Sequence, residues 1–287
     1  MSSVAGGLGR LAGRRRLAVS RPNAAGVAGA FIALCVVVAV LAPVLAPHDP
    51  SEIDLSSVYA GSSAQHPLGT DGSGRDTLSR LIWGSRSALL GPLAIVAISG
   101  TLGCLIAIAA AWLRGWFDAI ASRALDVIFA FPGILLALIG VAVLGSGLPA
   151  AIGALSIAYV PYIARILRGE GMRQASQPYV QSARINGFSG FAIAARHLVP
   201  NLLPLIVAQM TLSFGYAMVD LASISYLGLG VQAPSADWGL MVQEGQAGVL
   251  EGHPQQSLFA GGLIVAVVVS FTIVGDHLTA RYEERGT

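Results

Sequence analysis

The chain has 287 residues, of which 54% are hydrophobic and only 11% are charged, whereas soluble domains carry about 25% charged residues. This composition excludes a disordered chain, a nucleic-acid-binding tail protein and most cytosolic enzymes of this size, and it indicates an integral membrane protein. All 17 basic residues are arginine, so a P-loop ATPase and Schiff-base catalysis, which both require a lysine, are excluded as well.

Six apolar stretches are long enough, or nearly so, to cross a hydrocarbon core that requires about 20 helical residues. They are residues 24–46, 88–112, 125–144, 148–167, 202–224 and 258–278. The third and fourth stretches are separated only by Gly145, Ser146 and Gly147, which predicts a tight helical hairpin. Prolines inside the stretches are compatible with membrane helices because neighbouring helices can satisfy the freed carbonyl groups. The prediction is an all-α membrane protein with six transmembrane helices.

The placement of arginine predicts the orientation of these helices, because cytoplasmic loops carry an excess of basic residues. With the N-terminus in the cytoplasm, only Arg75, Arg80 and Arg86 lie in outer segments, and the other 14 of the 17 arginines lie inside. Both termini are therefore predicted to be cytoplasmic. The first apolar stretch is longer than the core of a secretory signal and lacks a clear cleavage site, so we expect an uncleaved helix.

The stretches divide the chain into a cytoplasmic tail, a first helix, an outer segment with an interfacial helix, and a five-helix domain. Their predicted boundaries are 1–23, 24–46, 47–85 and 86–280. We expect the tail to be largely disordered because it is rich in glycine and arginine and has no apolar periodicity. An inner loop, 168–201, and an outer loop, 225–257, interrupt the five-helix domain.

The inner loop predicts two short helices at the membrane surface. Ser176 or Gln177 can cap a first helix that holds Pro178 in its first turn and runs to about residue 186. Gly187 can then adopt a left-handed conformation that turns the chain. A second helix is predicted over 189–198, with Pro200 ending it. Such a rigid cytoplasmic knob can receive force from a separate motor protein.

Ordered motifs run through the chain from about residue 24 to 280. The inner loop carries Tyr179-Val-Gln-Ser-Ala-Arg, then Gly187 and, after nine intervening residues, His197-Leu-Val-Pro-Asn201. The outer segment carries His66-Pro-Leu-Gly-Thr-Asp and Gly-Arg-Asp76, and later parts carry Phe129-Ala-Phe-Pro132, Ser225-Tyr-Leu-Gly-Leu-Gly230, Trp238-Gly239 and Gly275-Asp276. The inner-loop motif resembles the "EAA" coupling loop of bacterial ABC importer permeases. The whole series resembles the C-type permease subunit of the dipeptide, oligopeptide and nickel importers.

The resemblance implies a type I ABC importer permease fold in the bacterial inner membrane, working by alternating access. It implies a B-type permease as the heterodimeric partner, two ATP-binding subunits beneath the membrane and an extracytoplasmic substrate-binding protein that rests on the outer segments. ATP and Mg²⁺ would be bound by the partner subunits, so this chain would be non-catalytic and would bind no cofactor. The cargo implied is a di- or oligopeptide.

The resemblance also implies which residues would couple the chain to the ATPase. They are Tyr179, Gln181, Ser182, Ala183, Arg184, Gly187, His197 and Pro200. The family usually has Glu-Ala-Ala where this chain has Gln181-Ser182-Ala183, so docking by packing is expected to persist while a salt bridge from the first position is lost. We expect the substitution Gly187→Pro to uncouple ATP hydrolysis from uptake.

Ionisable residues at membrane depth are costly and often functional. Asp220 is the strongest such candidate, either lining the path or bonding a neighbouring helix, and Met210 and Met218 on the same stretch are further candidates for path-lining residues. Asp126 is interpreted as an interfacial ion pair with Arg123 three residues earlier. The Asp276-His277 pair is interpreted as an interfacial cap.

The sequence predicts no metal site, because none of the five histidines lies in mid-membrane and no cysteine cluster exists. Asp237, Glu244 and Glu251 in the outer loop match no calcium loop and are interpreted as solvated. Nickel or another small solute remains an alternative cargo. An ion-driven secondary transporter and a membrane enzyme remain alternatives of other classes, although paired buried charges and a catalytic cluster are both lacking.

Overall fold

A computed structural model describes residues 22–113 and 115–285. The predicted disordered tail, 1–23, lies almost entirely outside these residues. The described chain is helical, and its sole pairing of extended backbone is an isolated bridge between Thr70 and Asp76. Its helices are α1 Pro22–Val40, α2 Ala42–Leu45, α3 Thr77–Leu113, α4 Gly115–Phe129, α5 Gly133–Leu144, α6 Leu148–Ala175, α7 Pro178–Ile185, α8 Gly190–Ile193, α9 Val199–Tyr226, α10 Trp238–Glu244, α11 Gln246–Leu250 and α12 Gln255–Arg285.

Five helical stretches are long and apolar enough to cross a membrane. They lie at Asn23–Val40, Thr77–Leu113, Leu148–Ala175, Gly190–Tyr226 and Gln255–Arg281. A sixth crossing exists only if α4 and α5 are counted together, because these two helices meet at an angle of 86°. The prediction of an all-α membrane fold is confirmed, except that the third predicted helix is not a single straight helix.

That third helix, predicted as continuous over 125–144, is broken. Pro132 has no N–H to continue the hydrogen-bond ladder, and it disfavours a helical conformation at Phe131. The Phe131 N–H instead donates to the Ile128 carbonyl at 3.3 Å and closes the end of α4. Pro132 then lies immediately before α5 with extended backbone. The prolines of α3, α6 and α9 lie inside unbroken helices, as the sequence predicts.

The prediction that Pro200 ends the second inner-loop helix is wrong. A π turn, Ala194–Leu198, joins α8 to α9, and the helix continues through Pro200. The Val199 N–H donates to the Ala194 carbonyl, five residues back. Pro200 therefore occupies the first turn of α9, next to a widened turn, where its missing N–H and its ring are tolerated.

The core lies where α3, α6 and α9 pack together. The last helix, α12, packs against α9, and α1 packs against α12 and α3. Small residues allow these helices to approach closely. Gly103 of α3 faces Ile163 of α6, and Gly171 of α6 faces Ala111 of α3. Phe214 of α9 stacks on Phe271 of α12 with ring centroids 3.8 Å apart. This bundle holds the inner loop at one end and the outer loop at the other.

Candidate functional site

The inner loop folds into a compact unit, the coupling knob, which we define as residues 178–198. Its first helix, α7, ends in a left-handed Gly187 with φ of +80°. The Gly187 N–H donates to the Arg184 carbonyl at 3.0 Å, and the Phe188 N–H donates to the Ala183 carbonyl at 3.1 Å. These two bonds form a Schellman motif, which satisfies carbonyls at the end of the helix and reverses the chain. The predicted helix end is therefore confirmed.

The coupling knob is fastened to the bundle through Trp112 at the end of α3. Val180, Ala183 and Ile193 are buried together and pack against its indole. The Arg184 guanidinium lies over the same ring, 4.4 Å from the centroid, a distance at which a cation is attracted by an aromatic face. The two short helices thus share one anchoring side chain, which ties the knob to the end of α3.

The coupling knob exposes large apolar side chains among its polar ones. Ile185 is 87% exposed and Phe191 is 84% exposed, and Phe188 between them is also exposed. Gln181 and Ser182 lie on the same exposed side of α7. Isolated exposed apolar residues need no explanation, whereas several on one projection make it a candidate interaction surface.

The predicted coupling residues differ in how exposed they are. Gln181, Ser182, Arg184, Gly187 and Pro200 are exposed. Ala183, in contrast, is buried and acts through packing.

The remaining two predicted coupling residues, Tyr179 and His197, lie near the two ends of the knob. The Tyr179 hydroxyl donates to Gln174 at 2.8 Å and accepts from the Asn201 amide at 3.1 Å. The His197 ring lies 6.2 Å from the Phe188 ring, edge to face. Together these contacts join the end of α6, the knob and the start of α9.

The exposed apolar residues that sequence reasoning did not single out are Ile185, Phe188 and Phe191. Ile185 follows Gln181 by four residues, a spacing that places both on one helical face. Phe188 follows the glycine that turns the chain, so its exposure depends on the turn geometry.

Ion pairs brace the half of the bundle that lies next to the knob. Arg168 of α6 forms a bidentate pair with Asp118 of α4, at 2.5 and 2.8 Å. The predicted pairing of Asp126 with Arg123 is wrong, because Asp126 pairs with Arg165 of α6 at 2.8 Å. The break before α5 turns α4 by 86° from α5, and the partner of Asp126 lies on another helix, α6.

The three candidate path-lining residues have different environments. Asp220 of α9 accepts a hydrogen bond from the Tyr159 hydroxyl of α6 at 2.8 Å, so it bonds a neighbouring helix. Met218 is 2% exposed and belongs to the core, which leaves it no contact with a solute in this conformation. The Met210 side chain packs against Gly100 of α3.

On the outer side, charged residues form a buried network that we call the outer cap network, Asp71, Arg75, Arg80 and Glu244. Arg75 and Arg80 both donate to one oxygen of Glu244, at 3.0 and 2.6 Å. The Arg75 Nε also donates to Asp71 at 2.7 Å. The interpretation of Glu244 as solvated is therefore wrong: two arginines from the distant outer segment bind it.

Asp237 also differs from its solvated interpretation. It is 3% exposed and caps α10 by accepting from the N–H groups of Gly239 and Leu240 at 3.0 and 3.1 Å. Burial raises the pKa of its carboxyl, while bonds from Leu240 and from the Ser87 hydroxyl lower it. The next residue, Trp238, donates from its indole to the Leu81 carbonyl at 2.9 Å. The motif residues of the outer loop thus fix that loop to the start of α3.

Comparisons with known proteins agree with this geometry. Residues 76–284 match the family model described as "Binding-protein-dependent transport system inner membrane component". The chain is 38% identical over 259 residues to the "Glutathione transport system permease protein GsiD" of Escherichia coli O1:K1 / APEC and to the protein of the same name in Shigella boydii serotype 4, covering 90% of this chain and 85% of each relative. A chain from inward facing structures of the MetNI methionine ABC transporter superposes with a TM-score of 0.53 at 19% identity, covering 68% of this chain and 94% of that one.

Proposed function

Because this chain belongs to the family of binding-protein-dependent transport system inner membrane components and is a permease of an ABC importer, we propose that it carries small peptides and is driven by ATPase subunits docked on the coupling knob. The observation that carries the docking proposal is the exposed apolar surface of Ile185, Phe188 and Phe191 on a rigid projection. The family match favours an ABC importer over the two alternatives, an ion-driven transporter and a membrane enzyme.

The chemistry of the knob favours docking by packing. Where related permeases usually carry a glutamate, Gln181 is neutral, so the charge that a basic partner residue would meet is absent. Ile185 and Phe191 provide apolar area instead, and burial of such area contributes roughly 25 cal/mol per Å². The anchoring at Trp112 converts movement of a docked ATPase into movement of α3. ATP and Mg²⁺ are bound by that partner, so this chain has no catalytic residue of its own.

The remaining partners follow from the same proposal. A B-type permease completes the translocation path as a heterodimer, and a substrate-binding protein rests on the outer segments at the bacterial inner membrane. Leu250 is 90% exposed. It is the last residue of α11, in the outer loop that Glu244 joins to the outer segment.

The peptide cargo is supported by the similarity to permeases named for glutathione transport, since glutathione is a tripeptide. Nickel is the alternative cargo. Among the residues that the structure describes, the one grouping of three His, Cys, Asp or Glu side chains lies in the outer segment and not along the spanning helices. The described spanning helices hold no such cluster, which favours the peptide cargo.

The test is uptake by proteoliposomes that contain this chain with its cognate permease, ATPase and binding-protein subunits. We expect ATP-dependent accumulation of a labelled tripeptide that unlabelled di- and tripeptides compete and Ni²⁺ does not. Accumulation of Ni²⁺ without peptide uptake would establish the alternative cargo.

The same preparation tests the docking surface through Ile185→Asp. Docking of the ATPase would bury the new carboxylate without a partner, and this would oppose docking. We therefore expect loss of ATPase co-purification and at least a tenfold fall in uptake. The matched control is Leu250→Asp, an equally exposed leucine on the opposite side, which should retain the ATPase. Full retention of the ATPase by Ile185→Asp would contradict the proposed surface.

A further inference from the structure

We propose that His48, His66 and Asp76 form a binding site for a divalent transition-metal ion, with Zn²⁺ as the expected ion, on the outer side of the protein. The three side chains come from different segments. His48 follows the first transmembrane helix, His66 lies in the outer segment, and Asp76 directly precedes α3. One ligand atom from each lies within 4.8 Å of the other two. This site is independent of the proposed cargo and of the coupling knob.

The distances place two nitrogens around one carboxylate. The Nδ1 atom of His66 lies 3.0 Å from one Asp76 oxygen, and the Nδ1 atom of His48 lies 3.9 Å from the other. The two imidazole rings are adjacent, with centroids 4.9 Å apart. Two imidazole nitrogens and one carboxylate oxygen form a common donor set for zinc, and the fourth tetrahedral position is left for water.

His48 provides the strongest indication that the group binds an ion. Its Nδ1 atom is buried and makes no hydrogen bond with any described residue, although buried polar atoms are nearly always paired. A metal ion between the two rings would satisfy that nitrogen. The His48 side chain is 36% exposed overall, so an ion can enter from the outer solution.

The surrounding contacts hold the ligands in place before an ion binds. Ser79 of α3 donates through its N–H and its hydroxyl to one Asp76 oxygen, at 2.8 and 2.7 Å. The Ser79 hydroxyl also accepts from the His48 backbone N–H at 3.0 Å. Bonds of this type orient metal ligands and raise metal affinity. The other Asp76 oxygen faces His66 and is the one available to a metal.

Sequence reasoning found no metal site because the three residues are separated by 18 and 10 positions and match no ligand spacing. The chain brings them together only after the outer segment has folded over the start of α3. An ion at this point would clamp the end of the first helix to α3.

The test uses the purified full chain, with any affinity tag removed and bound metal stripped by a chelator, and Zn²⁺ alone as the probe. We expect one Zn²⁺ per chain in a competitive titration, a tetrahedral absorption spectrum with Co²⁺, and a higher thermal midpoint when Zn²⁺ is added. Loss of a ligand should weaken binding by about 100-fold or more, since even outer-shell changes cost 10–100-fold.

His48→Gln is the decisive variant because the His48 ring has no hydrogen bond to lose, so the fold should be intact. His66→Gln is the second variant. The matched control is His253→Gln, whose ring stacks on Tyr59 on the same side of the protein with centroids 4.8 Å apart, and it should bind Zn²⁺ normally. Equal Zn²⁺ affinity of the His48→Gln variant and the unsubstituted chain would overturn the proposal, and so would the absence of saturable binding.

Discussion

In the outer cap network, each buried charge is stabilised by an oppositely charged neighbour. Arg80 has no exposed side-chain area, and Arg75 has 8%. Both face Glu244, which is 164 positions from Arg80 in the sequence. Buried charges are costly unless they are paired, and removal of one partner leaves an uncompensated charge. The network therefore depends on Glu244 more than on any single arginine.

We expect Glu244→Gln to lower the stability of the folded chain by ~3 kcal/mol, because two buried guanidinium groups would lose one of the two carboxylates that both of them contact. The measurement is the midpoint of thermal unfolding of the purified chain, together with protease sensitivity of the outer segment. Glu251→Gln is the control, since Glu251 is exposed in the same loop. Equal midpoints for the two variants would contradict the importance of this pairing.

The same residues show where sequence reasoning fails at this scale. The sequence placed Arg75 and Arg80 in the outer segment and Glu244 in the outer loop, but no local spacing connects them. Asp126 is the parallel case in the inner half, where the nearest arginine in sequence is not the partner in space. Partners of buried charges are decided by helix packing, which a single sequence does not contain.

Individual elements were more predictable than charge partners. The long apolar stretches become helices because their backbone bonds must be satisfied internally in a membrane. The end of α7 was also predictable, since only glycine adopts a left-handed conformation without strain. Pro132 and Pro200 were both misassigned. The first breaks a helix and the second does not, and the difference depends on whether a neighbouring turn can absorb the missing N–H.

The turn at Gly187 gives a prediction for the coupling element. Proline requires a φ near −65°, whereas Gly187 has +80°, and its N–H is bonded to the Arg184 carbonyl. In the assembled transporter, Gly187→Pro should leave membrane insertion intact, but uptake should fall at least tenfold relative to the ATP hydrolysed. The measurement is the ratio of peptide uptake to phosphate release in proteoliposomes.

Gly187→Asn is the matched control for that turn, because asparagine tolerates the left-handed conformation and no atom lies within 4 Å of an added Cβ. It should retain most of the coupling. Normal coupling in the proline variant would show that the turn does not transmit movement.

At the scale of the whole molecule, the arrangement is a bundle with a different structural feature at each end. The coupling knob exposes apolar side chains at one end, and the outer cap network fastens two loops together at the other. The knob is anchored on Trp112 of α3, and the outer cap network involves Arg80 of the same helix. The helix α3 therefore connects the two ends directly, over its 37 residues.

The orientation of this bundle is the last prediction. The sequence places 14 of 17 arginines on one side, and the positive-inside rule assigns that side, with the coupling knob, to the cytoplasm. A membrane-impermeant maleimide should therefore label Leu250→Cys in intact spheroplasts and Ile185→Cys only after the membrane is opened. The two positions are matched in exposure, at 90% and 87%, and the unsubstituted chain with Cys35 and Cys104 gives the background. Labelling of Ile185→Cys from outside would reverse the topology and, with it, the assignment of the knob to the ATPase.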